Sequence, residues 1–178
     1  MIEFSIDKYK IAVHIGEEPV IFDQLLKHAK YKDVEGLKNE GTSIYILVGT
    51  DKEWYEQIIA FRSEPIDYGG FNPGFLIVPE TDTLFIGAGT LIKTYNLLTG
   101  QKIFEKEFAC GFWNWRRHGE QIIMSEELEY GVFTLDGNEI WSTFVEPPWS
   151  YEIEENHVKL DVMDKISLLD KWTGEQVE

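Results

Sequence analysis

Two aromatic segments hold the side chains best suited to chemistry. The first is Gly111-Phe-Trp-Asn-Trp-Arg-Arg-His-Gly119. On a regular strand, Trp113 and Trp115 would share one face, and Asn114 and Arg116 the other. Indole rings stack, and a guanidinium forks onto carboxylate or phosphate. Arg117-His118-Gly119 would then form the turn. The plainer use of the same residues is a strand with Trp in the core and Arg paired to the abundant acids. The second segment is Trp141-Ser-Thr-Phe-Val-Glu-Pro-Pro-Trp-Ser-Tyr151. Pro147-Pro148 stiffens an extended link and has no place in a central strand, so it fixes where Glu146, Trp149 and Tyr151 point. Together the segments suggest a composite binding site of Trp113, Trp115, Arg116, His118, Glu146, Trp149 and Tyr151. Packing between neighbouring repeats is the rival use.

Other chemistries find less support. His14, His28, His118 and His157 are scattered, without the close Cys/His spacing of a zinc site. Ser125-Glu126-Glu127 is not the Gly-x-Ser-x-Gly of a nucleophile elbow. Asp161-Val-Met-Asp164 is no calcium loop, and Gly87-Ala-Gly89 is too short for a dinucleotide fingerprint. No metal or cofactor is expected. Cys110 would need His118 beside it to act as a nucleophile. Carboxylates are plentiful, yet nothing marks two of them as a pair.

Charge narrows the partners. The chain carries 32 acidic and 16 basic residues over 178 positions, a net charge of −16. From Gly119 onward, 15 acidic residues face only Lys159, Lys165 and Lys171. Phosphate backbones and anionic lipid would be repelled, so neither nucleic acid nor membrane is expected. A basic protein partner would be attracted, although acidity also serves plain solubility. The single cysteine fits a reducing compartment. The N-terminal residues lack the pattern of a secretory signal, and no run of roughly 18 apolar residues occurs. A cytoplasmic protein is expected.

The elements that must position these residues read mainly as strands. Ile2–Ile6 and Tyr9–Ile15 alternate apolar and polar around Asp7-Lys8, as a hairpin would. Pro19 and the helical spacing of Ile21, Phe22, Leu25, Leu26 and Ala29 predict one amphipathic helix over 19–31. Asp33 to Gly41 reads as irregular. Residues 43–49 and 56–62 read as strands, Gly69-Gly70 and Pro73-Gly74 as a loop, and 75–78 as a short buried run. Beyond that a turn recurs every 37 residues, at Thr99-Gly100, Asp136-Gly137 and Thr173-Gly174, with apolar runs before it. Asn, Asp and Thr cap such turns, and Gly supplies positive φ. The third copy lacks its last strand, which Ile2–Ile6 could supply by closing the ring; an open curved sheet is the alternative.

The repeat resembles that of quinoprotein-type β-propellers. The likeness rests on Asn96-Leu-Leu-Thr-Gly100 with Phe104, Asp136-Gly137 with Trp141, and Asp170-Lys-Trp-Thr-Gly174. It implies a scaffold of stacked β-meanders and no quinone cofactor, because these residues are structural. A second resemblance is to an uncharacterised bacterial family with Gly-Phe-Trp-x-Trp, Ser-x-Glu-Leu-Glu and Trp-Ser-Thr-Phe-Val-Glu-Pro-Pro-Trp segments in this order. It implies no activity.

The expected fold is mainly β: three to four short propeller-like antiparallel meanders, as an open or partial propeller, with one N-terminal amphipathic helix. One domain is expected over 1–178, with a hairpin and helix in 1–41, strands forming a degenerate repeat in 42–80, and three repeats in 81–178. Two functions compete, beside a purely structural or regulatory role. One is a non-enzymatic binding module, of the kind that an immunity protein or antitoxin provides against a basic enzyme. The other is a small hydrolase of a sugar or nucleotide, using Glu146 or Glu126 with Arg116 or His118. A deep pocket holding a desolvated carboxylate near His118 or Arg116 would favour the second.

Overall fold

A computed structural model describes residues 1–38, 40–50, 54–64 and 72–177. The loop expected at Gly69-Gly70 lies outside the described residues. The N-terminal part contains β1 (Ile2–Ile6), β2 (Tyr9–Ile15), α1 (Phe22–His28), β3 (Tyr31–Val34), β4 (Thr42–Thr50) and β5 (Gln57–Ser63). The strands form one sheet in the order β1-β2-β4-β5-β3. The run Thr42–Thr50 is apolar on both faces because both are covered. Ile44, Ile46 and Val48 face the repeats, whereas Tyr45 and Leu47 pack under Phe22, Leu25 and Ala29.

Two expectations are corrected here. The helix spans seven residues rather than 19–31, because Ala29 leaves helical space at ψ 135°. Of the stretch from Asp33 to Gly41 read as irregular, 33–34 instead complete strand β3, which runs parallel to β5 as an edge strand. Lys93 and Lys102 of the first repeat reach that edge, bonding Glu35 at 2.8 Å each, and the Tyr95 hydroxyl donates to Asp33 at 2.7 Å. The lysine hydrogen bonds hold the Glu35 carboxyl down to about 2. Those charges, invisible to local propensity, order the segment.

Three meander sheets follow. The first comprises β6 (Gly74–Val78), β7 (Thr83–Ala88), β8 (Leu91–Asn96) and β9 (Lys102–Glu107). The second comprises β10 (Phe112–His118), β11 (Gln121–Glu126), β12 (Glu129–Thr134) and β13 (Glu139–Phe144). The third has β14 (Trp149–Ile153), β15 (His157–Val162) and β16 (Lys165–Asp170). All neighbours within them are antiparallel, so each sheet is a propeller-like blade. Each blade begins one strand earlier than the repeat boundaries expected from sequence. The first aromatic segment is therefore blade strand β10, and the second runs from β13 across a short link at 145–148 into β14.

The blades stack in series. One core joins the N-terminal sheet to the first blade through Ile11, Ile46 and Phe61 against Leu84, Ile86 and Tyr95. A second joins blades one and two through Phe85 and Ile92 against Phe112, Met124 and Phe133. A third joins blades two and three through Ile123, Tyr130 and Trp141 against Val158, Leu160 and Leu169. Among the described residues no core cluster joins the third blade back to the N-terminal sheet. The series is open, and β1 does not close it: β1 pairs with β2. Instead Gln176 and Val177 begin to pair along β16, with Val177 N–H donating to Leu168 C=O at 2.8 Å.

The 37-residue turns are the joints of this stack. Asn96 and Asp170 cap two of them by accepting backbone N–H groups within the turn, and the shorter second turn is held by Thr134. Gly100, Gly137 and Gly174 have φ of 70°, 93° and 71°. Each lies against the preceding sheet: Gly100 on the Tyr31 ring, Gly137 on Thr83 and Thr94, and Gly174 on the Trp141 indole. Donors from that sheet take the turn's carbonyls. Tyr31 Oη donates to Leu98 O at 3.0 Å, Thr94 Oγ1 to Gly137 O at 2.8 Å, and Trp141 Nε1 to Lys171 O at 3.0 Å.

Gly174→Ala is expected to lose more than the roughly 1–2 kcal/mol that a left-handed L-residue costs, because its Cβ would sit 2.6 Å from Trp141. Gly119→Ala isolates the backbone cost alone, at φ 57° with nothing within 4 Å. Urea unfolding midpoints should fall further for the first variant than for the second.

Candidate functional site

A β-bulge in β10 decides how the aromatic residues are used. Phe112 pairs with Glu126 and Asn114 with Ser125, so Trp113 is the extra residue on its strand. The bulge breaks the expected alternation. Trp113 and Trp115 do not share a face. Trp115 packs towards the first blade, 5.2 Å from the Phe85 ring and 5.4 Å from those of Phe112 and Phe133. Trp113 turns the other way and stacks on Trp149 of β14, with ring centroids 5.2 Å apart and planes 7° apart. Arg116 follows Trp113, lying 6.0 Å from the centre of the Tyr151 ring, at the edge of cation–π range.

Four of the seven expected site residues thus meet in one seam between β10 and β14: Trp113, Arg116, Trp149 and Tyr151. Trp149 is fixed in place because its Nε1–H donates to Glu127 O at 3.0 Å. Trp113 keeps 37% of its surface exposed. Trp115 belongs to the core instead. His118 lies exposed at the β10–β11 turn, pairing with Gln121 through the backbone. Glu146 is exposed on the link ahead of the cis Pro147-Pro148 peptide bond. Neither side chain bonds another described residue. Tyr130, which sequence did not single out, supports the seam from below, 5.0 Å from Tyr151 and 6.3 Å from Trp149. Its place at the start of a buried apolar strand was the available signal.

A small hollow of about 180 Å³ adjoins the seam, lined by Pro148, Trp149, Ser150, Asp161 and Asp164. Ser150 and Asp161 are cross-strand partners, and the β15–β16 turn brings Asp164 next to them. Its charged lining groups are both carboxylates. A separate groove of about 390 Å³ separates the N-terminal sheet from the first blade, with Glu40, Glu64, Glu105 and Glu107 on its walls. Arg62, the cation there, is engaged by the Leu37 and Gly41 carbonyls. Among the described residues, no group of three or more His, Cys, Asp or Glu is placed to hold a metal ion. No described helix is long and apolar enough to cross a membrane.

Among the described residues Glu126 is the most deeply buried carboxylate, 1% exposed. Its Oε2 accepts from Leu128 N–H at 2.6 Å, while Oε1 has no partner among the described residues. Burial, aided by Glu129 and Glu127, raises its pKa from 4.5. Its register places it with Phe112 and Met124 on the face towards the first blade, opposite to Arg116. The two cannot act on one substrate. Burial and the Glu127 and Glu126 carboxylates also push the Cys110 thiol up, away from a reactive thiolate.

The class defined by these features is an open, propeller-like stack of β-meanders with an aromatic seam between its last two blades. No family model matches the chain. No curated protein matches it in sequence. The likeness to a bacterial family therefore rests on its three motifs alone. Similar solved structures include the computationally designed Ika4 protein, at 16% identity and a TM-score of 0.44, covering 63% of this chain and 74% of that one. BamB from Moraxella catarrhalis is similar at 11% identity and a TM-score of 0.42, covering 75% of this chain and 44% of that one. Hsv2 from Kluyveromyces lactis gives 12% and 0.32, covering 59% and 36%. The chain spans less than half the length of the last two.

Two outcomes follow from the site's construction. Trp115→Ala should destabilise the fold by about 3–5 kcal/mol, as large aromatic truncations in cores do, and Trp113→Ala by clearly less, since it is partly exposed and loses chiefly a stack on Trp149 worth about 0.5–1.5 kcal/mol. Glu126→Gln keeps the acceptor for Leu128 and removes a buried charge. Its raised pKa means that the wild-type cost is absent below the ordinary carboxylate value and grows as pH rises through the folded one. The stability of Glu126→Gln relative to wild type should therefore increase between pH 4 and pH 8 in urea titrations.

Proposed function

We propose that the protein is a non-enzymatic binding module for a basic protein. Cationic side chains of the partner enter the hollow at Asp161 and Asp164, and the Trp113 face supplies the apolar contact. The observation that carries this reading is that hollow, where two carboxylates meet Trp149, one member of a stacked tryptophan pair. Aromatic residues held rigid lose little entropy on binding and are the usual centres of interface energy. The wider field supports the same partner. Glu146, Glu152, Glu154, Glu155 and Glu175 are all exposed on the last blade and its links, and a surface of one sign speeds capture of the opposite sign. An immunity-type or antitoxin-like role in a bacterial cytoplasm is the concrete form, the partner being a cationic enzyme. The hydrolase alternative is weaker, because Glu126 lies on the opposite face from Arg116, and Glu146 and His118 are exposed without a bond to a seam residue.

Affinity capture from the source cell tests it. The immobilised wild type should retain a protein of high isoelectric point, released by salt. Retention should fall at least tenfold with Asp161→Asn plus Asp164→Asn, and with Trp113→Ala, while Glu3→Gln on the far sheet leaves it unchanged. Capture of nothing, or of a partner indifferent to all three substitutions at the seam, would overturn the proposal.

A further inference from the structure

Strand β1 is an edge strand whose outer side pairs with no described strand. Ile6 and Tyr9 close the two-residue turn Asp7-Lys8. In such a hairpin the closing pair is hydrogen-bonded, so Ile2, Phe4 and Ile6 direct their backbone groups to β2. Glu3 and Ser5 direct theirs outward. The side chains of Ile2, Phe4 and Ile6 share a face with their partners Val13, Ile11 and Tyr9, which are buried under the first blade. The blade stops short of β1. Ile2 remains 58% exposed, and Phe4 and Ile6 37% each. Edge strands are usually protected by proline, a bulge or a lysine, and Ile2–Ile6 has none of these.

We propose that this edge joins two copies of the chain, paired antiparallel about a two-fold axis at Phe4. The register follows from the geometry. Placing Phe4 opposite Phe4 of the second copy makes that a non-hydrogen-bonded pair, the kind with the closest side chains. Glu3 then stands opposite Ser5 of the second copy and exchanges its outward N–H and C=O groups with it, twice over by symmetry. Ile2 meets Ile6 across the same face. The exposed apolar row of each copy thereby continues into that of the other and links the two cores. Charge permits this register: no like charges stand opposite, and Glu3 is already bonded to Lys10 at 2.8 Å. An isologous pair closes on itself and leaves no further β1 edge to recruit copies. The net charge of −16 opposes association over longer range, so salt strengthens it.

Sedimentation over a wide range of protein concentration, at low and high salt, tests the pairing. The expected result is a monomer–dimer equilibrium shifted towards dimer by concentration and by salt. Ser5→Pro removes an outward N–H and leaves the β2 ladder intact, so it should abolish the dimer with an unchanged near-ultraviolet dichroism spectrum. In a Cys110→Ser background, Phe4→Cys should give a disulfide-linked dimer on mild oxidation, a readout that stands even if Ser5→Pro fails to fold. A monomer under every condition would overturn the proposal. So would a dimer that Phe4→Cys does not cross-link, which would point to the β16 edge or another surface.

Discussion

Each blade is seated on the sheet before it by a glycine in left-handed conformation. A three- or four-stranded meander has one apolar face too many to stand alone in water, and must share it with a neighbour. Close approach at the joint requires a residue with no side chain, and the tight turn requires positive φ. Gly100, Gly137 and Gly174 satisfy both demands at once. The carbonyls around them would lose water on docking, and Tyr31, Thr94 and Trp141 replace it. Remove this contact and the three apolar cores lose the register that lets them interlock.

The two ends of the stack are finished differently. At the N-terminal end, α1 covers the back of the first sheet with Phe22 and Leu25. At the other end the third blade sends Trp149, Tyr151, Val158 and Leu160 inward, and turns Ser150, Glu152, Lys159 and Asp161 outward. A Lys159–Glu152 ion pair of 3.0 Å lies on that outer face. That outer face is polar along β14 and β15, while Ile166 and Leu168 of β16 share it and remain exposed. It also concentrates carboxylates next to the aromatic seam.

How much of this was legible in the sequence depended on the range of the interaction that fixes each element. Strand periodicity and the glycine turns are local, and β2, β4, β5 and most blade strands fall where the apolar runs place them, whereas β14 read as part of a link. The helix was overextended because spacing alone did not show that Ala29 turns into β3. Strand β3 was missed because long-range ion pairs, not apolar alternation, hold it. The gathering of Trp113, Arg116, Trp149 and Tyr151 was anticipated from their equivalent places in the repeat. The loss of Trp115 to the core was not. A single inserted residue in β10 changed which face each indole occupies, and nothing in Gly111–Gly119 announces which residue bulges.

The joint glycines also determine how such a chain could grow. Every joint is formed between one turn and the sheet immediately upstream, with no reference to either end of the stack. A segment copied in frame at the 37-residue period would carry both halves of a joint with it, the donor sheet and the glycine turn. Lengthening by whole blades therefore keeps the spacing of the joints and asks only that the donor side chain suit the incoming turn, whereas gain or loss of a few residues inside a blade would misplace the next glycine and unseat everything downstream. The architecture tolerates duplication far better than small insertion, and variation in length should come in steps of one blade.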